Sequence, residues 1–236
     1  AVGATALDAN TTGENNVAIN YGALGANTTG SSNVAIGRDS LLFNTTASNN
    51  TAVGFESLKA NTTGLNNTAV GRIALAANTT ASNNTAFGSS SLYSNTTGAN
   101  NTAVGLSALE SNTTGADNTA VGRLAMAVNT TGAGNSTVGT ESGQNLTTGG
   151  YNTLIGLQAG KYAITTTTGT GNVLVGAYSH TTAVGNNYSN GIGYNIAAAA
   201  NYTTVGQGVS DIRAAHGNVT WATVSDQRYK KDIVDS

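Results

Sequence analysis

The chain has 236 residues, 9 of them basic and 11 acidic, for a net charge of −2. Charged side chains make up 8%, against roughly 25% in an ordinary globular domain. There is thus no basic field to hold a nucleic-acid backbone and no charge repulsion to keep the chain unfolded. With no Cys, neither a disulfide framework nor a thiolate zinc site is available, and no apolar run approaches the ~20 residues that span a membrane.

The N-terminal Ala1-Val2-Gly3 has no basic region ahead of an apolar stretch, so no secretory leader is expected there. From this point a repeat governs the chain. An aliphatic or aromatic residue recurs at Val2, Ile19, Ile36, Val53, Val70, Phe87, Val104, Val121, Val138 and Ile155, always 17 residues apart. Gly follows each one except Ile19, where Asn20 stands instead. Asn tolerates a left-handed backbone better than other non-Gly residues, so the row marks a turn with positive φ. Leu recurs in the same register from Leu7 to Leu109 and gives way to Met126. One Asn row heads an Asn-Thr-Thr triplet from Asn10 to Asn129, and a second runs from Asn16 to Asn152.

A 17-residue unit holding one Val or Ile, one Leu and a few Ala cannot offset its own chain entropy. Stacked units can, by burying these rows continuously. Gly, Asn and Thr disfavour helix and favour short strands punctuated by turns. The expected fold is all-β: a β-solenoid or β-roll with one coil per repeat, rising ~4.8 Å per coil. In the strand Thr-Ala-Val, Ala and Val point to opposite faces. The larger Val/Ile row is expected to fill the coil interior, which turns the Ala row (Ala18, Ala35, Ala52, Ala69, Ala86, Ala103, Ala120) outward for side-by-side association. The residues after the glycines, Tyr21, Arg38, Phe55, Arg72, Leu106 and Arg123, are expected to face solvent.

Past Ile155 the next such pair, Val175-Gly176, lies 20 residues on, so a three-residue insertion is expected within Thr165 to Gly171. Shorter echoes follow at Val184-Gly185, Ile192-Gly193 and Val205-Gly206. Residues 213–236 then carry 7 of the 20 charges and the single Trp, Trp221. The expected organisation is a regular shaft over 1–162, a degenerate taper over 163–212, and a junction over 213–236.

The repeat resembles the head domains of trimeric autotransporter adhesins and related phage fibre shafts, whose units carry A-V-G or A-I-G; their head repeat is shorter than this one. That resemblance implies a parallel homotrimer of β-rolls. The end of the chain is similar to a second family. Ser225-Asp226-Gln227-Arg228-Tyr229-Lys230-Lys231-Asp232-Ile233 resembles the opening of the endosialidase-type intramolecular chaperone domain, S-D-x-R-x-K-x-x-I. The resemblance implies that the chaperone assembles a trimeric tail fibre or tailspike and then cuts itself off at Ser225. It also implies that Ser225 is the nucleophile and Lys230 its dyad partner; a Ser hydroxyl needs such activation, and an ammonium becomes a base only when its pKa is depressed. Only 11 residues follow Ser225, too few for the whole domain.

No other chemistry stands out. His180 and His216 lack companions with metal-ligand spacing, Gly169-Thr170-Gly171 opens no helix that would make a phosphate loop, and Asp39, Glu56 and Glu141 are too scattered for a calcium roll or a glycosidase pair. The Asn-Thr-Thr triplets are formal glycosylation sequons, yet Asn and Thr also serve turns and ladders. No cofactor, metal, nucleic acid or membrane insertion is expected, and no enzyme activity beyond self-cleavage. The expected function is a structural, receptor-binding phage tail fibre on the virion, with other tail or baseplate proteins and a host surface receptor such as a glycan as partners. The alternatives are a trimeric adhesin on a bacterial surface and an ice-binding β-solenoid. A flat face carrying Thr rows would favour the last.

Overall fold

The computed structural model describes residues 1–161, 167–208, 210–217 and 222–223. The described residues form an all-β solenoid of about 11 stacked turns with coils of ~17 residues. One short strand per coil builds a continuous parallel ladder: β1 (Val17–Ile19), β2 (Val34–Ile36), β3 (Thr51–Val53), β4 (Thr68–Val70) and β5 (Thr85–Phe87). It continues through β6 (Thr102–Val104), β7 (Thr119–Val121), β8 (Ser136–Val138), β9 (Thr153–Ile155) and β10 (Val173–Val175). The short β11 (His180–Thr181) and β13 (Ala197–Ala198) pair with each other, while β12 (Asn190–Tyr194) and β14 (Tyr202–Gln207) extend the main ladder in parallel. β15 (Ser210–Ala215) and β16 (Ala222–Thr223) then add antiparallel strands at the C-terminal end.

Register follows the repeat: Val53 pairs with Val70 and Val70 with Phe87. Between β9 and β10 the offset grows to 20, with Thr153 against Val173. Thr130 N–H still bonds the carbonyl 17 residues on, at Thr147, whereas Thr147 N–H bonds Thr167. The extra residues thus fall between Lys161 and Thr167, at the near edge of the segment expected to hold them, and 162–166 lie outside the described residues.

The faces of the strand are the reverse of the sequence expectation. Ala35, Ala52, Ala69, Ala86, Ala103 and Ala120 are all 0% exposed and pack with Leu24, Leu41, Leu58, Leu75, Leu92 and Leu109. The Val/Ile/Phe row points out. The cross-section is narrow, and the Leu row from the opposite corner already fills it, so only a methyl fits at the strand centre. Each of those Leu residues adopts φ between 50 and 53, a conformation that costs an L-residue roughly 1–2 kcal/mol. Full burial of the side chain, about 1.5–3 kcal/mol, offsets it.

The core then inverts. At β9 and β10 the strand centre holds Leu154 and Leu174, both buried, and the corner rows hold Gly143 and Gly160. A Cβ on Gly143 would lie 3.0 Å from Leu154 Cδ1, so the strand-centre Leu occupies the volume that the corner Leu fills elsewhere.

Two buried Asn ladders hold the turns. Asn78 Nδ2 donates to Asn61 Oδ1 (2.9 Å) and to the Ala81 carbonyl (3.0 Å), a pattern repeated from Asn27 to Asn129. In the second ladder each Asn Oδ1 accepts the backbone N–H of the next ladder residue, as in Asn84 N–H to Asn67 Oδ1 (3.0 Å). That ladder crosses the insertion through Asn152 and Asn172 to Ser189. The first stops at Leu146, one coil before the enlarged corner, and leaves Asn129 Oδ1 buried without a partner.

Candidate functional site: the outer face of the long sheet

Because the strand centre faces in, its two flanking residues face out. The outer face therefore carries two parallel rows. One is Val17, Val34, Thr51, Thr68, Thr85, Thr102, Thr119, Ser136, Thr153 and Val173; the other is Ile19, Ile36, Val53, Val70, Phe87, Val104, Val121, Val138, Ile155 and Val175. β-Branched side chains suit this pleated surface. The second row has no polar member from Ile19 to Ile192, and Val2 extends it at the N-terminal end through a bridge to Ile19. Sheet and turn meet at the Gly row: Gly71 has φ 139, and a Cβ there would lie 2.4 Å from the Gly88 carbonyl oxygen, so no side chain fits. Asn20, in the same row, has φ 97, the turn conformation expected of it.

Along one edge of the face run the residues after the glycines. Tyr21, Phe55 and Leu106 are exposed, as are Arg38, Arg72 and Arg123, and the Arg38 guanidinium stacks 4.9 Å from the Phe55 ring centroid. Arg38 also pairs with Asp39, and Lys59 with Glu56. Further along, Glu141 accepts hydrogen bonds from Arg123, Gln158 and Lys161, which tie three coils together. The Lys161 and Gln158 hydrogen bonds hold the Glu141 carboxyl at about 2, from an ordinary 4.5.

Exposed Thr runs one per coil from Thr12 to Thr148; on the sheet face, the alternative of an ordered-water surface finds a Thr row of five consecutive coils, Thr51 to Thr119. The row beside it is broken by the Phe87 ring, 55% exposed between Val70 and Val104, so the face is not flat. The Asn residues of the Asn-Thr-Thr triplets are buried and hydrogen-bonded, from Asn27 to Asn129, which removes these sequons as modification sites. His180 Nδ1 lies 3.1 Å from the Tyr178 carbonyl, and His216 Nε2 lies 3.3 Å from Asn190 Nδ2. Among the described residues no three His, Asp or Glu side chains gather in a way that could hold a metal ion, and no helix is long and apolar enough to cross a membrane. Ser225 and Lys230 lie outside the described residues.

Compared with known proteins, the chain matches no family model, no curated protein and no solved structure.

Proposed function

We propose that this chain is part of the shaft of a homotrimeric fibre, a phage tail fibre or tailspike that attaches the virion to a host-cell surface. The observation that carries the reading is the apolar outer row of the long sheet. From β1 to β14 the face is roughly 50 Å long at ~4.8 Å per strand. Together with the Thr row and the bordering row, in which Tyr21, Phe55, Leu106 and Leu157 are interspersed with Arg38, Arg72, Ser89, Arg123 and Thr140, the face is about 15 Å wide, on the order of 750 Å² per chain. A stable interface takes about 800 Å² from each partner, close to the area of this face. Three parallel solenoids with these faces turned inward would bury the row along its length and leave Thr29, Thr46, Thr63 and Thr80 toward solvent.

The ending Ser225-Asp226-Gln227-Arg228-Tyr229-Lys230 supports a phage fibre over a bacterial surface adhesin, because it resembles the start of a chaperone that phage fibres carry at that place. In this reading Ser225 is the nucleophile of self-cleavage and Lys230 activates it; other tail or baseplate proteins and a host receptor, a glycan among the options, are the partners. Light scattering of the purified chain should report three copies. A stable monomer at micromolar concentration overturns the reading.

A further inference from the structure

A fibre built from identical coils has an alignment problem. Strand register is fixed by differences between side chains along a face, and the repeat removes most of those differences. From Ile19 to Ile155 the outer row holds only Val and Ile apart from Phe87, and Val and Ile differ by one methylene; the neighbouring row runs Thr from Thr51 to Thr119. Val17 and Val34 replace Thr near the N-terminal end, but Val and Thr share a shape. One chain could therefore slide along another by a whole coil, ~4.8 Å, and meet nearly the same surface.

Within these two strand rows one residue breaks this translational symmetry; the varied row of Tyr21, Arg38, Phe55, Arg72 and Leu106 runs along the edge of the face. Phe87 stands where every other coil from β1 to β10 has Val or Ile, and its ring is 55% exposed. Its strand pairs in register with those of Val70 and Val104, so the ring projects from the middle of an otherwise even row. No internal packing demands a ring there, because the strand centre beside it, Ala86, already closes the core at 0% exposure.

We propose that Phe87 is the register key of the assembly: the Phe87 rings of neighbouring parallel chains meet at one level and fix the axial alignment of every coil above and below. This rests on the homotrimer reading. A slip of one coil sets each ring against Val70 or Val104 of its neighbour, which props the faces apart and leaves voids at two levels. Matched aromatic rings contribute about 0.5–1.5 kcal/mol beyond their area, a bias of about twofold to tenfold per contact.

The absence of Cys makes the test clean. Two differently tagged chains, Val104→Cys and Val121→Cys, are folded together and oxidised, once with Phe87 and once with Phe87→Val in both. Val is the row's own residue, so the second background folds as the first does. With Phe87, disulfides should link 104 to 104 and 121 to 121. With Phe87→Val, the mixed 104–121 product should rise severalfold relative to the matched ones, and Phe87→Tyr should restore the original ratio. An unchanged ratio in an intact trimer overturns the key and leaves the trimer standing. A monomer by light scattering, or an oligomer that forms no disulfide at either position, overturns the interface itself and the key with it.

Discussion

Asn78 links three coils through one side chain: it donates to Asn61 Oδ1 and the Ala81 carbonyl and accepts from Asn95 Nδ2 at 3.1 Å. Asn78→Ala strands buried groups on both sides, which should cost on the order of 2–4 kcal/mol and lower the urea midpoint. Thr80→Ala, on the exposed row beside it, should stay within about 0.5 kcal/mol. Two carboxylates give opposite pH dependences. Glu141 has its folded pKa lowered to about 2 from 4.5, so its contribution is complete above pH 4.5 and is lost as pH falls toward 2. Glu141→Gln should flatten the acid limb of stability in that window. Asp211 is pushed up by burial, with Arg213 opposing, and its Oδ1 has no partner. Ionising it therefore costs stability, and Asp211→Asn should raise the denaturation midpoint at pH 7.

Adjacent residues of one strand should respond differently to change. Ala69→Leu forces methylenes into a filled core and should cost about 1–3 kcal/mol in the single chain, whereas Val70→Thr on the outer face should leave the single chain nearly unchanged and weaken association. At the inverted core, Leu154→Ala should cost about 2–5 kcal/mol, because Gly143 offers nothing to refill the space. The period, the turns and the all-β fold were legible because each coil needs its Gly, its Leu and its two Asn at fixed places. Which strand face looks inward was not. Hydrophobicity favours burying Val over Ala, but the Leu row of the opposite corner sets the width. One signal in the sequence does mark the confined row: the strand centre admits only Ala from Ala18 to Ala120, while the flanking row ranges from Val to Phe. Constancy of size, more than apolarity, identifies the position with no room. The inversion at Leu154 is marked in the sequence by changes in both rows, Ala120 to Thr137 to Leu154 in one and Leu109 to Met126 to Gly143 in the other, and only the folded coil shows that Leu154 and the corner side chain fill one volume.

At the scale of the whole molecule, a wound or face-to-face trimer leaves native structure slowly, so its durability would be a rate. If Ser225 cuts in the full-length protein, denaturing gels should show two bands for the wild type and one for Ser225→Ala; Lys230→Ala should slow or block the cut, and continued cleavage of Ser225→Ala at the same bond would exclude that nucleophile. The parallel ladder also makes length an editable quantity. Each coil meets only the ones next to it, and residues 17 positions apart occupy equivalent sites. Excising residues 54–70 would join Val53 to Gly71 without disturbing a single ladder, and the shaft would shorten by ~4.8 Å. Excising one residue fewer would leave one 18-residue coil that has to take up the extra residue locally, as the ladder does where the offset grows to 20 between β9 and β10. Near-identical repeats are also where unequal recombination acts, so a gene of this kind can lengthen or shorten its product in whole coils while the cross-section stays the same.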